Sequence, residues 1–415
     1  MLFIQVLLVL IQICLLFPIV YLLGLTAAAW AAGFRKQRET APTLHKFGIL
    51  IPAHNEEKLL PHTLDSLQKL AYPRSSFDIH VIADNCNDRT AAIARSYDVY
   101  VHIRQNMELV GKGHALNWCY QELIHSGQSY DALVFIDADT TVSENFLLVM
   151  DDKISQGARA VQAYYAVKDP EMSWNTSLRY AALAVLHYLR PLGRMQLGGS
   201  AGLKGNGMVL TGDLLNDQFW SGSITEDIEA HMSLLLSGIP VRFAPRAVVW
   251  GEMPLTFDQS QTQLNRWESG RLQMARQYVP RLLHAAAYSL RSFELHKVYL
   301  YLDAALEHLI PPFTVLFAAA AACLGASGLL FLASIFAGQG TDWITQVNLL
   351  LALSLVLGQI LYLLSGLMLV KAPPAIYRNL LYAPWVMLRK LGQLGRVLVH
   401  RGPSTWVKTP RNNNG

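Results

Sequence analysis

The stretch Leu-Val-Phe-Ile-Asp-Ala-Asp, residues 133–139, decides how this chain reads. Its four leading apolar residues form the short continuous run of a strand buried on both faces. The two carboxylates that follow are separated by one residue. They lie where open α/β sheets receive ligands, and they offer a divalent cation two neighbouring oxygen donors. Asp137 and Asp139 therefore point to a metal-dependent nucleotide or nucleotide-sugar site. The simpler alternative is a strand running into an Asp-rich turn.

Outward from that stretch, residues 44–252 alternate strand-like apolar runs with helical patterns, which predicts an α/β domain with a mostly parallel sheet covered on both faces. Strands are expected at 47–51, 79–83, 99–103 and 133–136, with helices near 58–70, 89–97 and 112–126. Polar loops follow the first two strands: Pro52, Ala53, His54, Asn55, Glu56 and Glu57, then Asp84, Asn85, Cys86, Asn87 and Asp88. Each alone reads as a helix cap. Three acidic loops on one sheet edge would repel one another unless a cation or a ligand compensated them. No Walker-type Gly-rich loop or GxGxxG turn is present, so a nucleotide would be held through a metal and side chains.

The ends of the chain are different. Residues 1–34, 309–341 and 343–370 contain a single charge-free run each, and each exceeds the roughly 20 residues that cross a bilayer as a helix. The first could be a cleavable signal peptide, but it lacks a basic leading region and is too long. Arg35, Lys36 and Arg38 follow the first run, and Lys371 and Arg378 follow the last, while the link 338–345 has no Lys or Arg. This predicts an outside amino terminus, a cytoplasmic domain and a cytoplasmic tail; the inner membrane is what the resemblance given below implies. The expected organisation is an anchor (1–34), a catalytic domain (35–280), a helical connection (281–308), a membrane hairpin (309–370) and an amphipathic tail (371–415). In the tail, Ile376, Leu380, Leu381, Leu388, Leu391 and Leu398 recur at helical spacing among Arg378, Arg389, Lys390 and Arg396, the pattern of a helix lying in the headgroup region. Residues 174–190, with Arg179, Arg190 and the following Arg194, read either as a second such helix or as one facing the domain core.

With 34 Lys and Arg against 30 Asp and Glu and no dense basic tract, nucleic acid is not an expected partner. Cys14 and Cys323 fall in spans, and Cys86 and Cys119 lack zinc or disulfide spacing. Two further clusters remain. Thr225, Glu226 and Asp227 open a helix, with Thr225 placed as its N-cap; an acid there could also serve as a general base. Gln263, Arg266 and Trp267 share one helix face, suited to binding a diphosphate and stacking on a sugar, or merely an Arg packed over a Trp.

In this order, the Pro-Ala-His-Asn-Glu-Glu loop, Ala-Asp-Asn-Cys-Asn-Asp-Arg-Thr, Gly-Lys-Gly-His-Ala-Leu-Asn at 111–117, Asp-Ala-Asp, Thr-Glu-Asp and Gln-Leu-Asn-Arg-Trp resemble family 2 glycosyltransferases over residues 46–278. The flanking spans resemble the membrane-bound branch containing cellulose, hyaluronan and poly-N-acetylglucosamine synthases, and the run Gly205-Asn206-Gly207-Met208 resembles exopolysaccharide-biosynthesis enzymes. The resemblance implies a GT-A fold and an inverting hexosyl transfer from a nucleotide-sugar, a UDP-sugar foremost, to a lipid-linked or glycan acceptor. It assigns the nucleoside to Asp84 and the loop Pro52, Ala53, His54, Asn55 and Glu56, and the nucleotide also to Lys112. It assigns the diphosphate to Asp137 and Asp139 through Mg²⁺ or Mn²⁺, with Asp139 the direct metal ligand. Asp227 becomes the base, and Gln263, Arg266 and Trp267 close over diphosphate and acceptor.

Departures from the pattern are Leu264 in the last motif and a cysteine-free Leu197-Gly198-Gly199-Ser200. With only three spans, they favour transfer of one or few sugars over a secreted polymer, unless the chain acts as a homo-oligomer or with export partners. The rival of another class is a non-catalytic nucleotide-binding scaffold or transporter component.

Overall fold

The computed structural model describes residues 2–33, 43–216, 219–221, 223, 225–337 and 341–389, and side chains within these except 257, 258 and 260–266. The sheet has eight strands: β1 (Phe47–Ala53), β2 (Phe77–Asp84), β3 (Tyr100–Arg104), β4 (Ala132–Phe135), β5 (Thr140–Val142), β6 (Ala160–Val167), β7 (Met208–Thr211) and β8 (Val241–Gly251). Their order is β3-β2-β1-β4-β7-β6-β8-β5. The first four strands are parallel neighbours, whereas β7 runs antiparallel to both β4 and β6 and β5 runs antiparallel to β8. The expected mixed α/β architecture is thus observed, with the four parallel strands within a few residues of their predicted positions.

Thirteen α-helices are described: α1 (Leu2–Gly33), α2 (Leu60–Gln68), α3 (Thr90–Ala94), α4 (Lys112–His125), α5 (Phe146–Ser155), α6 (Trp174–Leu183), α7 (Arg190–Gln196), α8 (Glu226–Leu236), α9 (Phe257–Arg291), α10 (Leu295–Leu309), α11 (Phe313–Phe336), α12 (Trp343–Leu369) and α13 (Pro374–Asn379). Alternation along the strands builds two cores. Ile49, Ile51 and Val134 face one side with Leu64 and Leu67 of α2 and Phe146 of α5. Leu50, Leu133 and Phe135 face the other, in a core that continues into Leu22, Leu25 and Ala29 of α1 and Tyr362 of α12. This second core is thus continuous from the sheet to the long apolar helices. Gly193 lets the helix at 190–196 approach the one at 2–33 closely: a Cβ there would lie 2.3 Å from the Leu25 carbonyl oxygen.

Helices α1, α11 and α12 are long and apolar enough to cross a membrane. Within the bundle, the Gln5 amide donates to Thr345 Oγ1 at 2.6 Å and Gln12 to Ser327 Oγ at 3.1 Å, bonds that hold helices together where burial of apolar surface adds nothing. The side nearest the sheet carries charge. Arg194 Nε donates to Asp303 Oδ2 at 2.7 Å, Tyr21 Oη donates to Asp303 Oδ1 at 2.7 Å, and Arg190 Nε donates to Tyr362 Oη at 2.7 Å, with Glu307 3.6 Å from Arg190. Burial would lift the Glu307 carboxyl, but Arg190 and Arg194 hold it down at about 2.

These contacts decide between the two readings of residues 174–190. Arg179, Arg190 and Arg194 are all buried. The segment forms α6, a π-helical stretch (Ala184–Leu189) and α7, placed between the sheet and the membrane helices. Removing one member of a buried pair strands the other, which costs about 3–5 kcal/mol. Asp303→Asn is accordingly expected to lower the thermal midpoint of the detergent-solubilised protein sharply, and an unchanged midpoint would contradict the pairing.

At the start of the tail, α13 packs on α6 through Ile376 and Tyr377. Leu391, Leu398, Lys390 and Arg396, like Arg35, Lys36 and Arg38, lie outside the described residues. The boundary drawn at residue 280 falls inside α9, which runs continuously through Pro280.

Candidate active site

The loops after β1 and β2 are knitted into one surface. His54 Nδ1 lies 2.8 Å from the Asp84 carbonyl oxygen, the Glu56 amide donates to Thr90 Oγ1 at 2.8 Å, and the Asn87 amide donates to Asn55 Oδ1 at 2.9 Å. Asn55 and Asn85 adopt φ of 54° and 51°, a left-handed turn that Asn tolerates better than most residues. Pro52 and Ala53 end β1 beside Ile82 and Ala83 of β2. Asp84 is buried and receives Arg104 Nη1 on Oδ1 at 2.6 Å. Arg104 Nη2 in turn donates to the Leu109 carbonyl oxygen at 2.7 Å, which ties this corner to the segment leading into α4.

Lys112 opens α4 behind Gly111. Its ammonium donates both to Asp137 Oδ1 and to the Gly205 carbonyl oxygen. Gly205 has φ +77°, and a Cβ there would stand 3.2 Å from Asp227 Oδ2. Asp137, Lys112, Gly205 and Asp227 thus form one contiguous cluster. Asn206 frames it: its Oδ1 accepts the Asp137 amide at 3.2 Å, and its Nδ2 donates to Thr140 Oγ1 at 2.7 Å. Asp139, next along, receives the Thr140 hydroxyl at 3.4 Å. Burial alone would pull the Lys112 ammonium down, but Asp137, with Glu226 and Asp227, raises it above its ordinary value.

The carboxyls of α8 respond oppositely. Burial and the neighbouring Asp227 push Glu226 up to about 7 from an ordinary 4.5, against the pull of Lys112. Burial also raises Asp227, opposed by the Ile228 amide, Lys112 and Lys204. A raised carboxyl binds its proton more tightly in the folded state, so the stability it contributes is present below pH 4.5 and is lost as pH rises through about 7. Glu226→Gln, which copies the protonated form, should therefore melt higher than wild type at pH 8 and nearly alike at about pH 4. The same increment at both pH values would contradict this.

One structural expectation fails here. Thr225 occupies the N-cap position of α8, but its side chain makes no capping bond. It packs instead against α9, where a Cβ on Gly270 would lie 2.2 Å from Thr225 Cγ2. In the first turn, Asp227 Oδ1 accepts the Ile228 amide at 2.9 Å.

This packing sets the helix that carries Trp267 beside the start of α8. Trp267 stands under Arg179, with the guanidinium carbon 5.4 Å from the ring centroid. Gln263 and Arg266 lie on α9, with side chains outside those described. Several site neighbours carried no sequence signal of their own: Arg104, Gln162, Tyr165 and Lys204; Arg179 stood out only within the helical pattern of 174–190. Gln162 Oε1 accepts the Lys204 amide at 2.9 Å, and its Nε2 donates to the Asn206 carbonyl oxygen at 2.7 Å. The run around Gly205 was the one available hint of this wall.

No group of three or more His, Cys, Asp or Glu side chains suited to a metal ion is found among the described residues. Asp137 and Asp139 offer two carboxylates, one of them already facing a cation in Lys112. That donor set fits an ion bound by one or two carboxylates plus substrate phosphates, the usual manner of Mg²⁺, and does not fit a dedicated protein cage.

An acid-lined edge of a mostly parallel sheet is thus approached by a helix bearing a further acid and by a helix bearing Trp267, at the position where open α/β sheets receive ligands. The chain belongs to the family described as glycosyltransferase like family 2, whose model matches residues 45–270. Among curated proteins it is 27% identical over 245 residues to the probable glycosyltransferase YdaM of Bacillus subtilis, covering 57% of each chain. It is 27% identical over 267 residues to a beta-monoglucosyldiacylglycerol synthase of Nostoc, covering 60% of this chain and 56% of the relative. It is 26% identical over 236 residues to a poly-beta-1,6-N-acetyl-D-glucosamine synthase of Staphylococcus epidermidis, covering 54% and 53%. The chain thus spans little more than half the length of these relatives. Among solved structures, the mannosyltransferase PcManGT from Pyrobaculum calidifontis, in complex with GDP-Man and Mn2+, aligns with a TM-score of 0.49 at 18% identity, over 86% of this chain and 99% of that one.

Proposed function

We propose that this chain is an inverting, metal-dependent glycosyltransferase that moves a sugar from a nucleotide-sugar, a UDP-sugar foremost, to a lipid-linked or glycan acceptor at the membrane. The observation that carries the reading is the placement of Asp227 against Gly205, whose carbonyl oxygen accepts Lys112, itself paired with Asp137. A base and a diphosphate-binding pair of acids thereby share one site.

The loop from Pro52 to Glu56 and Asp84 hold the nucleoside, and the Asp84 carboxylate is fixed for that role by Arg104. Asp137 and Asp139 would hold Mg²⁺ or Mn²⁺, which supplies charge neutralisation on the departing diphosphate. Lys112 adds a fixed positive charge beside it. Asp227 takes the proton from the acceptor hydroxyl. The acceptor oxygen then bonds to the anomeric carbon as the bond to the diphosphate oxygen breaks, so that an α-linked donor gives a β-linked product. Gln263, Arg266 and Trp267 close over diphosphate and acceptor.

The core shared by the sheet with α1, α11 and α12 supports an acceptor drawn from the bilayer. The Lys and Arg residues after the first and last spans support an inner-membrane protein with its site in the cytoplasm. Membranes containing the protein, given a panel of labelled UDP- and GDP-sugars, are expected to move label into the lipid extract with one or few sugars added. Chelation with EDTA should abolish this. A long ladder of sugars from the purified monomer would overturn the limited-addition reading, and EDTA-resistant transfer would overturn the metal assignment.

A further inference from the structure

Most buried guanidiniums of the domain have a carboxylate partner. Arg104 meets Asp84 at 2.6 Å, Arg190 meets Glu307 at 3.6 Å and Arg194 meets Asp303 at 2.7 Å. Arg179 does not. It is only 8% exposed, its Nη2 is buried with no hydrogen-bond partner, and no carboxylate among the described residues faces it. Its neighbours are the Trp267 ring and the Tyr165 phenol.

Arginine keeps its proton inside proteins, so a full charge is held out of water here. Burial pulls its pKa to about 10, which still leaves it charged at neutral pH. A contact with an aromatic face offsets only part of the cost of withdrawing an ion from water. The balance is unfavourable until an anion arrives.

The surroundings indicate which anion. Tyr165 lies between two fields: the carboxylates of Asp139 and Asp137 act on its phenol, and so does Arg179. Helix α6, which carries Arg179, is clamped to the segment entering α9 by Asn175 Nδ2, which donates to the Pro254 carbonyl oxygen at 2.7 Å. It is also joined to α13 through Asn379 Nδ2, which donates to Ser177 Oγ at 2.8 Å. Arg179 therefore sits between the diacid loop and the membrane-side helices. A planar fork of N–H donors in a water-poor setting matches phosphate oxygens. A neutral sugar hydroxyl would leave the charge uncompensated.

We propose that Arg179, backed by Trp267, is a phosphate-binding residue that receives an anionic phosphate oxygen during the reaction. The phosphate comes either from the donor diphosphate or from the headgroup of a phosphate-bearing lipid acceptor; these two sources rest on the glycosyl-transfer reading above.

The test uses the full chain in lipid nanodiscs, with wild type, Arg179→Gln and Arg179→Lys compared in two arms. The first measures binding of UDP and of UMP with Mn²⁺. The second measures thermal stabilisation by phosphatidic acid added to phosphatidylcholine discs. If the donor supplies the phosphate, Arg179→Gln loses about tenfold in UDP affinity, with UMP unchanged. If the lipid does, UDP binding stays at the wild-type value and the phosphatidic acid shift disappears. A folded Arg179→Gln with wild-type values in both arms overturns the proposal.

Should Arg179→Gln fail to fold, Arg179→Lys decides: it keeps the charge without the fork. A loss of about threefold or more in UDP affinity, or a clearly diminished lipid shift, is then expected, and wild-type values in both arms overturn the proposal. Absence of UDP binding by the wild type would instead sink the glycosyl-transfer reading and leave the lipid arm to judge Arg179.

Discussion

Asp227→Asn is expected to leave the protein folded and able to bind the nucleotide while slowing sugar transfer roughly 10²–10⁴-fold, the usual worth of a positioned general base. The effect should fall on kcat, with donor KM little changed, because Asp227 acts on the acceptor hydroxyl. The carboxylate is held by the Ile228 amide and the Asn side chain is the same size, so the substitution removes basicity and charge with little change of shape. The pH profile gives an independent check. Burial raises both Asp227 and Glu226, and such neighbours titrate as a pair. Wild-type kcat/KM should therefore rise with pH through the apparent pKa of the pair, and the residual activity of Asp227→Asn should lose that limb. Transfer by Asp227→Asn at the wild-type rate would remove the base assignment.

The second large effect is expected at Asp139. Asp139→Asn should lower transfer by about 10²–10³-fold or more, the scale set by losing charge stabilisation at a leaving group. It should also abolish the gain in nucleoside diphosphate affinity that Mn²⁺ brings to the wild type. Asp137→Asn should be harder to interpret, because Asp137 also neutralises Lys112. Equal Mn²⁺ dependence of UDP binding in wild type and Asp139→Asn, measured by calorimetry, would contradict the assignment.

The parallel half of the sheet was legible because its strands are buried on both faces and so appear as unbroken apolar runs: Phe47, Ile49 and Ile51 need no partner identified to be recognised as core. Strands β5 to β8 were much less visible. Val209 and Val161 are paired across the antiparallel junction of β6 and β7, a contact between distant parts of the chain that leaves no local period.

The diacid and the loops after β1 and β2 were legible as chemistry because carboxylates cluster at the ends of successive apolar strands. The cations that meet Asp84 and Asp137 are remote in sequence: Arg104 reaches Asp84 across adjacent strands, and Lys112 reaches Asp137 from the start of α4. Buried charge was the main thing hidden. Arg190 and Arg194 have the spacing of a solvated helix face, and only their pairing with Glu307 and Asp303 on α10 makes burial affordable. Thr225 shows the converse, a residue whose position invites a cap but whose side chain is used to pack against Gly270.

The most direct measurement is the anomeric form of the product. The full-length protein in lipid nanodiscs, given an isotopically labelled α-linked nucleotide-sugar with Mn²⁺, should yield lipid-extractable β-linked sugar and free nucleoside diphosphate, as read by NMR of the labelled carbon. An α-linked product, or tight nucleotide binding with no transfer from any donor in the panel, would contradict the account.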